Sequence, residues 1–410
     1  MKKLLLLSAL FICSISFAQK STQQALRVYL GNWRGALTMN DSTELPFTFT
    51  VDLLQTGYTL TIHNAEESIS VENLLVTRDS INWHMPVFDS WFKCKIDSLG
   101  GFHGTFFNRS ASRPYEMKFQ AGYNLPRFSS PSFCSKNMPA TDGKWECDFS
   151  PGTSDSSKAI GIFNATKKSI TGTFLTETGD YRFLEGDLIN CGEIALSCFD
   201  GSHAFLFKFT CYKGEIRGDA WYGKFGYEKW SGRRNDKFEL RDPEKLTFIK
   251  DSSNVNFTFN DLNGKPVSLS DYRGKVVVVE IMGSWCPNCM DETAWMTKVY
   301  DKYHAQGLEV IALAYERSTD TAKANPNIRR VRDHFGAKYT FLNTGKSGKN
   351  AASESLPFLN GIMSFPTTIY IDKKGNVRMV YTGFNGPATG TAYVKDTDAA
   401  TRLIEQLLKE

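Results

Sequence analysis

The chain has 410 residues, of which 41% are hydrophobic and 22% are charged, and its formal net charge is +4. This length exceeds that of a chain with a single hydrophobic core and indicates two or three globular domains. The composition excludes a disordered chain. Lysine and arginine are scattered rather than clustered, so the charge gives no indication of a nucleic-acid partner.

The first 18 residues have the features of a cleavable export signal. Two lysines precede an apolar run over residues 4–12, and small residues around Ala18 suit a cleavage site. The apolar run is too short to span a bilayer comfortably, and no later segment approaches a transmembrane helix. We therefore expect cleavage after Ala18 and a periplasmic or otherwise exported protein without a membrane span.

Residues 19–235 have the alternation of apolar and polar side chains that is typical of antiparallel β-strands, for example "FTFTVDLLQTGYTLTIH". A weak internal duplication is also present. "GNWRGAL" at 31–37 resembles "GKWECDF" at 143–149, and "GGFHGTFFN" at 100–108 resembles "KGEIRGDAWYG" at 213–223. This pattern predicts two related β units, about 25–125 and 140–235, built as two small barrels or one larger sandwich.

Eight cysteines remain after removal of the signal, and disulfides persist in exported proteins. Six of them precede residue 212, and none of these forms a close C-x-x-C pair: Cys94, Cys134, Cys147, Cys191, Cys198 and Cys211. Some are expected to form structural disulfides and others to be buried thiols. If all six were paired there would be 15 connectivities, among which the sequence does not choose.

The charged, proline-containing stretch 236–254 is predicted to be a linker. After it the pattern changes to alternating strands and helices, which predicts an α/β domain over 255–410. The predicted strands include "VVVVEI" at 276–281, "LEVIALAY" at 308–315 and "TTIYID" at 367–372. A helix is expected from about Pro287, and its inner stripe would consist of Ala294, Trp295, Val299 and Tyr303.

The most informative motif is "WCPNC", in which Cys286 and Cys289 follow the predicted strand of valines. A structural zinc site requires a second close pair of ligands, which the sequence lacks. A structural disulfide gains more by closing a longer loop. At a strand–helix junction, unpaired backbone N–H groups and the helix dipole favour a thiolate. The position therefore indicates a redox-active disulfide in which Cys286 attacks and Cys289 resolves.

"WCPNC", "SFPTTIYIDKKG" at 364–375 and "FNDLNGKPVSLSDYRGK" at 259–275 together resemble the TlpA/ResA-like thiol–disulfide oxidoreductases, exported members of the thioredoxin superfamily with a redoxin-type start. The resemblance covers about residues 255–410. It implies that Trp285 shields the disulfide and that Pro366 is a cis-proline facing the active site, where the neighbouring backbone groups would pair with substrate as an added strand. The alternative for Pro366 is a trans proline at the start of a strand. The resemblance also implies protein thiol or disulfide substrates, a membrane electron donor upstream, and no bound organic cofactor or metal.

Two acidic residues match carboxylates of the family. Glu280 lies six residues before Cys286, and Glu292 lies three residues after Cys289. Either would accept the Cys289 proton if burial raised its pKa toward neutrality. A carboxylate among valines needs a reason, so Glu280 is the first candidate. The alternative for Glu292 is an exposed first-turn residue favoured by the helix dipole.

The sequence departs from the family at the dipeptide between the cysteines, Pro287-Asn288, and this leaves the direction of electron flow open. A disulfide reductase is expected by analogy with the family. Phe365 is bulkier than the usual residue before the cis-proline and is expected to influence substrate choice.

Two other functions compete with this one. A thiol peroxidase would have proline and threonine where this chain has Val279 and Gly283, so peroxide activation is not supported. Alternatively, the β region is a ligand- or partner-binding module to which the second domain is accessory. A surface site of this kind would use its aromatic residues, although such residues more often fill cores. The candidates are Trp83, Trp91, Trp221 and Trp230.

Overall fold

The computed structural model describes residues 28–129, 139–166, 169–252 and 255–410. An antiparallel all-β region precedes an α/β domain, as the sequence predicts. The predicted signal segment and Cys134 lie outside the described residues. Across the described ranges, no helix has both the length and the apolar character needed to cross a membrane.

The first sheet is antiparallel and has nine strands in the order β4-β3-β2-β1-β9-β8-β7-β6-β5. They are β1 (Gly31–Thr38), β2 (Glu44–Leu54), β3 (Gly57–Asn64), β4 (Glu67–Val71), β5 (Leu75–Val76), β6 (Ser80–His84), β7 (Ser90–Ile96), β8 (Phe102–Asn108) and β9 (Tyr115–Tyr123). Alternate side chains of these strands form one aromatic core, in which Trp33, Phe49 and Phe92 are almost fully buried.

The second sheet also has nine strands, and because β11 pairs with both β10 and β12 it closes into a barrel. They are β10 (Gly143–Phe149), β11 (Ser157–Ala165), β12 (Ile170–Thr176), β13 (Gly179–Asp180), β14 (Leu184–Leu188), β15 (Glu193–Phe199), β16 (Ala204–Tyr212), β17 (Glu215–Tyr222) and β18 (Gly226–Arg234). Within the described residues, β13 pairs with β12 alone and stands at the end of the strand order.

The third sheet has seven strands in the order β20-β19-β23-β22-β21-β24-β25, with four helices. The elements are β19 (Thr258–Asp261), β20 (Pro266–Ser268), β21 (Val276–Met282), α1 (Pro287–Tyr303), β22 (Leu308–Ala314), α2 (Thr321–Phe335), β23 (Thr340–Asn343), α3 (Gly348–Ser355), β24 (Thr367–Ile371), β25 (Val377–Thr382) and α4 (Thr391–Lys409). Strand β21 is buried along its whole length, between parallel β22 and antiparallel β24. This central position explains its valine run.

Part of the predicted linker packs on the α/β domain. Pro243–Lys245 forms a 3-10 turn, and the backbone N–H of Thr247 donates to the Thr382 hydroxyl. The Lys250 N–H then donates to the Phe358 carbonyl. Its proline and charges indicated a break in the chain, but this contact with residues more than 100 positions away had no local signal.

The predicted aromatic and cysteine residues divide between core and surface. Trp83 and Trp230 are each only 2% exposed, so they belong to the cores, whereas Trp91 and Trp221 are half-buried. Cys191 is disulfide-bonded, and the other described cysteines of the β region are free thiols: Cys94, Cys147, Cys198 and Cys211. In α1, Trp295, Val299 and Tyr303 are buried as expected, but Ala294 is only partly buried.

Candidate active site

Cys286 lies where β21 gives way to α1. It is the N-cap residue of the helix, and its sulfur accepts the backbone N–H of Cys289 at 3.4 Å. Pro287 takes the first helical position, where the missing N–H costs nothing. Cys286 is 6% exposed and Cys289 is fully buried, and both are free thiols. Only the first sulfur is therefore within reach of a partner molecule.

The loop before β24 faces this sulfur. The Phe365–Pro366 peptide bond is cis, and the Cys286 thiol donates to the Phe365 carbonyl at 3.4 Å. The Trp285 ring meets the Phe365 ring edge-on, with 5.5 Å between centroids. Its indole N–H donates to the Tyr315 carbonyl, which holds the ring against Phe365. The structure thus brings together Trp285, Phe365 and Pro366 around Cys286.

Glu280 lies fully buried on β21. Its two carboxylate oxygens accept hydroxyl hydrogen bonds from Thr293 at 2.8 Å and from Tyr339 at 3.3 Å. Burial raises its pKa to about 7 despite these two donors. The carboxyl therefore exchanges a proton near neutral pH.

Glu292 is 2% exposed, so the interpretation as an exposed first-turn residue is wrong. One carboxylate oxygen accepts the Thr368 hydroxyl at 2.5 Å, and the other has no hydrogen-bond partner in the described part of the chain. Burial and the neighbouring Glu280 raise its pKa well above the usual value. Its side chain also lines a cavity of about 890 Å³ between the barrel and the α/β domain.

The buried Cys289 thiol has a raised pKa, chiefly because burial penalises the thiolate, and then because of the adjacent Cys286. Glu280 contributes to the same rise, which places this carboxylate within electrostatic range of the sulfur. A proton leaving Cys289 needs a nearby acceptor, since the thiol is closed off from bulk water.

The sequence reasoning missed the groups that support these residues. Thr293, Tyr339 and Thr368 donate to the two buried glutamates, and a hydroxyl in a strand or helix carries no signal of such a role. The Arg317 guanidinium stacks on the Trp285 ring, 3.4 Å from its centroid. In the described ranges, no cluster of three or more His, Cys, Asp or Glu side chains is arranged to hold a metal ion.

Known proteins resemble part of this chain. The Redoxin family model matches residues 250–400. The thiol-disulfide oxidoreductase ResA of Geobacillus thermodenitrificans is 30% identical over 142 residues, which cover 34% of this chain and 73% of that protein. ResA of Bacillus anthracis is 32% identical over 136 residues, or 33% and 70% of the two chains.

Among solved structures, a thiol:disulfide interchange protein of the thioredoxin family from Chlorobium tepidum matches 39% of this chain and 99% of its own, at 21% identity and a TM-score of 0.29. The Redoxin match, residues 250–400, includes Cys286, Cys289 and Pro366. Through this C-terminal domain, the chain belongs to the ResA-like thiol–disulfide oxidoreductases of the thioredoxin superfamily.

Proposed function

We propose that the protein is an exported disulfide reductase that acts on protein disulfides through Cys286 and Cys289. The observation that carries the proposal is the placement of the Cys286 sulfur. It caps α1, accepts the Cys289 N–H and faces the cis-Pro366 loop, while 6% of the residue remains exposed. An N-terminal cap position stabilises a thiolate, which is the attacking form.

The reaction has two exchange steps. The Cys286 thiolate attacks one sulfur of a substrate disulfide, which forms a mixed disulfide and releases the other substrate sulfur as a thiolate. Cys289 then loses its proton and attacks the Cys286 sulfur, which releases the second substrate thiolate and leaves a Cys286–Cys289 disulfide. A reductant must then return this disulfide to the dithiol, and we propose an upstream membrane electron donor for this step.

We propose Glu280 as the first acceptor of the Cys289 proton. Its pKa of about 7 suits an acceptor at neutral pH, and it interacts electrostatically with Cys289. Glu292 is the second candidate, because one of its oxygens is free to take a proton and its side chain lines the interdomain cavity. Trp285, Phe365 and Pro366 would form the surface on which the substrate segment lies.

Replacing each cysteine separately tests the two roles. Cys286→Ser should abolish exchange, whereas Cys289→Ser should form mixed disulfides with substrate and keep them, because no second thiol releases them. Exchange would be followed by thiol release, and trapped species by mass spectrometry under non-reducing conditions. Stable mixed disulfides in Cys286→Ser instead would reverse the assignment.

The direction of electron flow is tested by the reduction potential of the pair, measured in glutathione and dithiothreitol buffers. A value near that of thioredoxin, about −270 mV, is expected for a reductase. A value closer to about −120 mV would mean that the pair oxidises its partners, and the reductase assignment would be wrong.

A further inference from the structure

A short loop of the barrel touches the active site of the other domain. This loop, residues 177–182, contains β13, and we call it the β13 loop. The Thr178 carbonyl accepts the Ser364 hydroxyl at 3.2 Å. The Asp180 carboxylate accepts the Gly386 N–H at 2.6 Å and the Asn288 side-chain amide at 3.3 Å. Asn288 lies between the two cysteines, so the loop contacts the redox motif itself.

The loop also shares hydrogen-bonding groups with the attacking sulfur. The Ser364 hydroxyl is within hydrogen-bond distance of both the Thr178 and the Phe365 carbonyls, and it lies 3.1 Å from the latter. The Phe365 carbonyl is the acceptor of the Cys286 thiol. The Thr178 backbone is therefore connected to the Cys286 sulfur through two neighbouring residues, on the side of the cis-Pro366 loop.

Glycines on both sides of the contact allow this close approach. A Cβ on Gly179, which has φ +150°, would lie 2.7 Å from the Asn288 amide nitrogen. A Cβ on Gly383, with φ +81°, would lie 2.8 Å from the Thr178 carbonyl carbon. At Gly383 the two backbones approach each other directly, and at Gly179 the backbone packs against the Asn288 side chain, so both glycines allow a close fit between the barrel and the α/β domain.

A buried guanidinium anchors the loop. Arg182 is 7% exposed and pairs with Glu67 at 2.5 Å, with Asp200 at 3.5 Å and with Asp291 in α1. These carboxylates come from the first sheet, from the barrel and from the active-site helix. One side chain therefore links all three units close to the redox motif.

The first sheet approaches the helix from another direction. Pro86, Val87 and Phe88 line a pocket of about 370 Å³ together with Pro287 and Met290. Phe88 is buried in the core of the α/β domain. The beginning of α1 thus lies between the two β units, which leaves Cys286 recessed between their loops.

We propose that the β13 loop forms one wall of the groove through which substrate reaches Cys286, and that the occupant is an extended, cysteine-bearing segment of a protein disulfide. The inference rests on the proposed function and deepens it. A recessed sulfur admits a narrow extended strand more readily than a cysteine on a compact surface. We assign another part of the groove to Trp285, which contacts Phe365 and carries the stacked Arg317 guanidinium.

Photocrosslinking in the full-length Cys289→Ser protein tests directly whether the β13 loop lies beside the bound substrate. The probe is a ten-residue peptide whose single cysteine is capped as a thiopyridyl disulfide, with a benzophenone residue beside it. Attack by Cys286 joins peptide and protein through a new S–S bond and releases thiopyridone, which reports the reaction. Irradiation of the mixed disulfide should then crosslink the peptide to residues 177–180.

The outcomes separate the two proposals. If no mixed disulfide forms, the proposed function is overturned, and so is the role of the β13 loop in substrate binding. If the mixed disulfide forms but every crosslink lies within 255–410, the proposed function stands, and the proposal that the β13 loop lines the groove is overturned.

A second test compares Gly179→Ala with Gly214→Ala, a control at another positive-φ turn with open space around it. The readout is the ratio of kcat/KM for the peptide disulfide to kcat/KM for hydroxyethyl disulfide. The added Cβ would clash with the Asn288 side chain and disrupt its contact with the β13 loop, so this ratio should fall at least fivefold in Gly179→Ala and stay within twofold in the control. An unchanged or raised ratio in Gly179→Ala would show that the loop does not contribute to substrate binding, which overturns the proposal.

Discussion

Glu280 illustrates how burial prepares a residue for proton transfer at the expense of stability. Its pKa rises from 4.5 to about 7 in the folded chain. Between these values the unfolded carboxyl is ionised while the folded one keeps its proton, so stability falls as the pH rises through this window. The accumulated cost above pH 7 is on the order of 3 kcal/mol. A carboxylate with no role beyond structure would lower the free energy of unfolding at this position without a compensating benefit.

Glu280→Gln mimics the protonated form and should remove this contribution. The thermal midpoint of the variant should exceed that of the unmodified protein, and the difference should be larger at pH 8 than at pH 5. Its exchange rate should fall and lose part of its pH dependence, because the amide does not accept the Cys289 proton. Glu354→Gln, at an exposed position on α3, is the control and should follow the unmodified protein at both pH values. An unchanged pH–rate profile in Glu280→Gln would move the acceptor role to Glu292 or to water.

At the scale of elements, the opening strands of the two β sheets share a detailed arrangement. Gly31 and Gly143 have φ values of +110° and +107°, and Trp33 and Trp145 two residues later are fully buried. Each indole N–H donates to the carbonyl four residues earlier, at 3.1 Å in Trp33 and 2.8 Å in Trp145. These parallels support the proposal that the two β units arose by duplication.

Trp33→Phe and Trp145→Phe should therefore destabilise the β region by similar amounts. Each change removes a buried hydrogen bond and leaves a small cavity, which together cost about 2 to 3 kcal/mol. Urea unfolding followed by far-UV circular dichroism would measure the loss. Trp91→Phe, at a half-buried position, should cost less than about 1 kcal/mol. A loss in only one of the two core variants would argue against equivalent roles.

At the scale of the whole molecule, the features that the sequence predicted are those with a local signature. The valine run of β21, the Cys286–Cys289 spacing and the residues around Pro366 each lie within one short segment, and together they indicated the α/β domain and its redox site. The β13 loop has no such signature. Arg182 and Asp291 are separated by 109 positions, and no periodicity connects residues that meet only when two domains pack together.

Separate expression of the α/β domain tests whether the β region is accessory. Residues 250–410 expressed alone would keep Cys286, Cys289, Glu280 and Glu292 but lose the β13 loop. If this loop guides substrate, the fragment should reduce hydroxyethyl disulfide within about threefold of the full chain, while kcat/KM for a peptide disulfide falls about tenfold, which corresponds to about 1.4 kcal/mol.

The same fragment would also lose the partners of Asp291. In the full chain, burial is the main cause that raises the pKa of Asp291 to about 7. Arg182 lowers this pKa, whereas Asp180, Glu67 and Asp200 raise it. Removing these residues exposes the carboxyl, so its pKa should return toward 3.8, and nuclear magnetic resonance titration would follow it. Unchanged peptide selectivity in a fragment that shows this pKa shift would mean that the β region touches the active site without directing substrate to it.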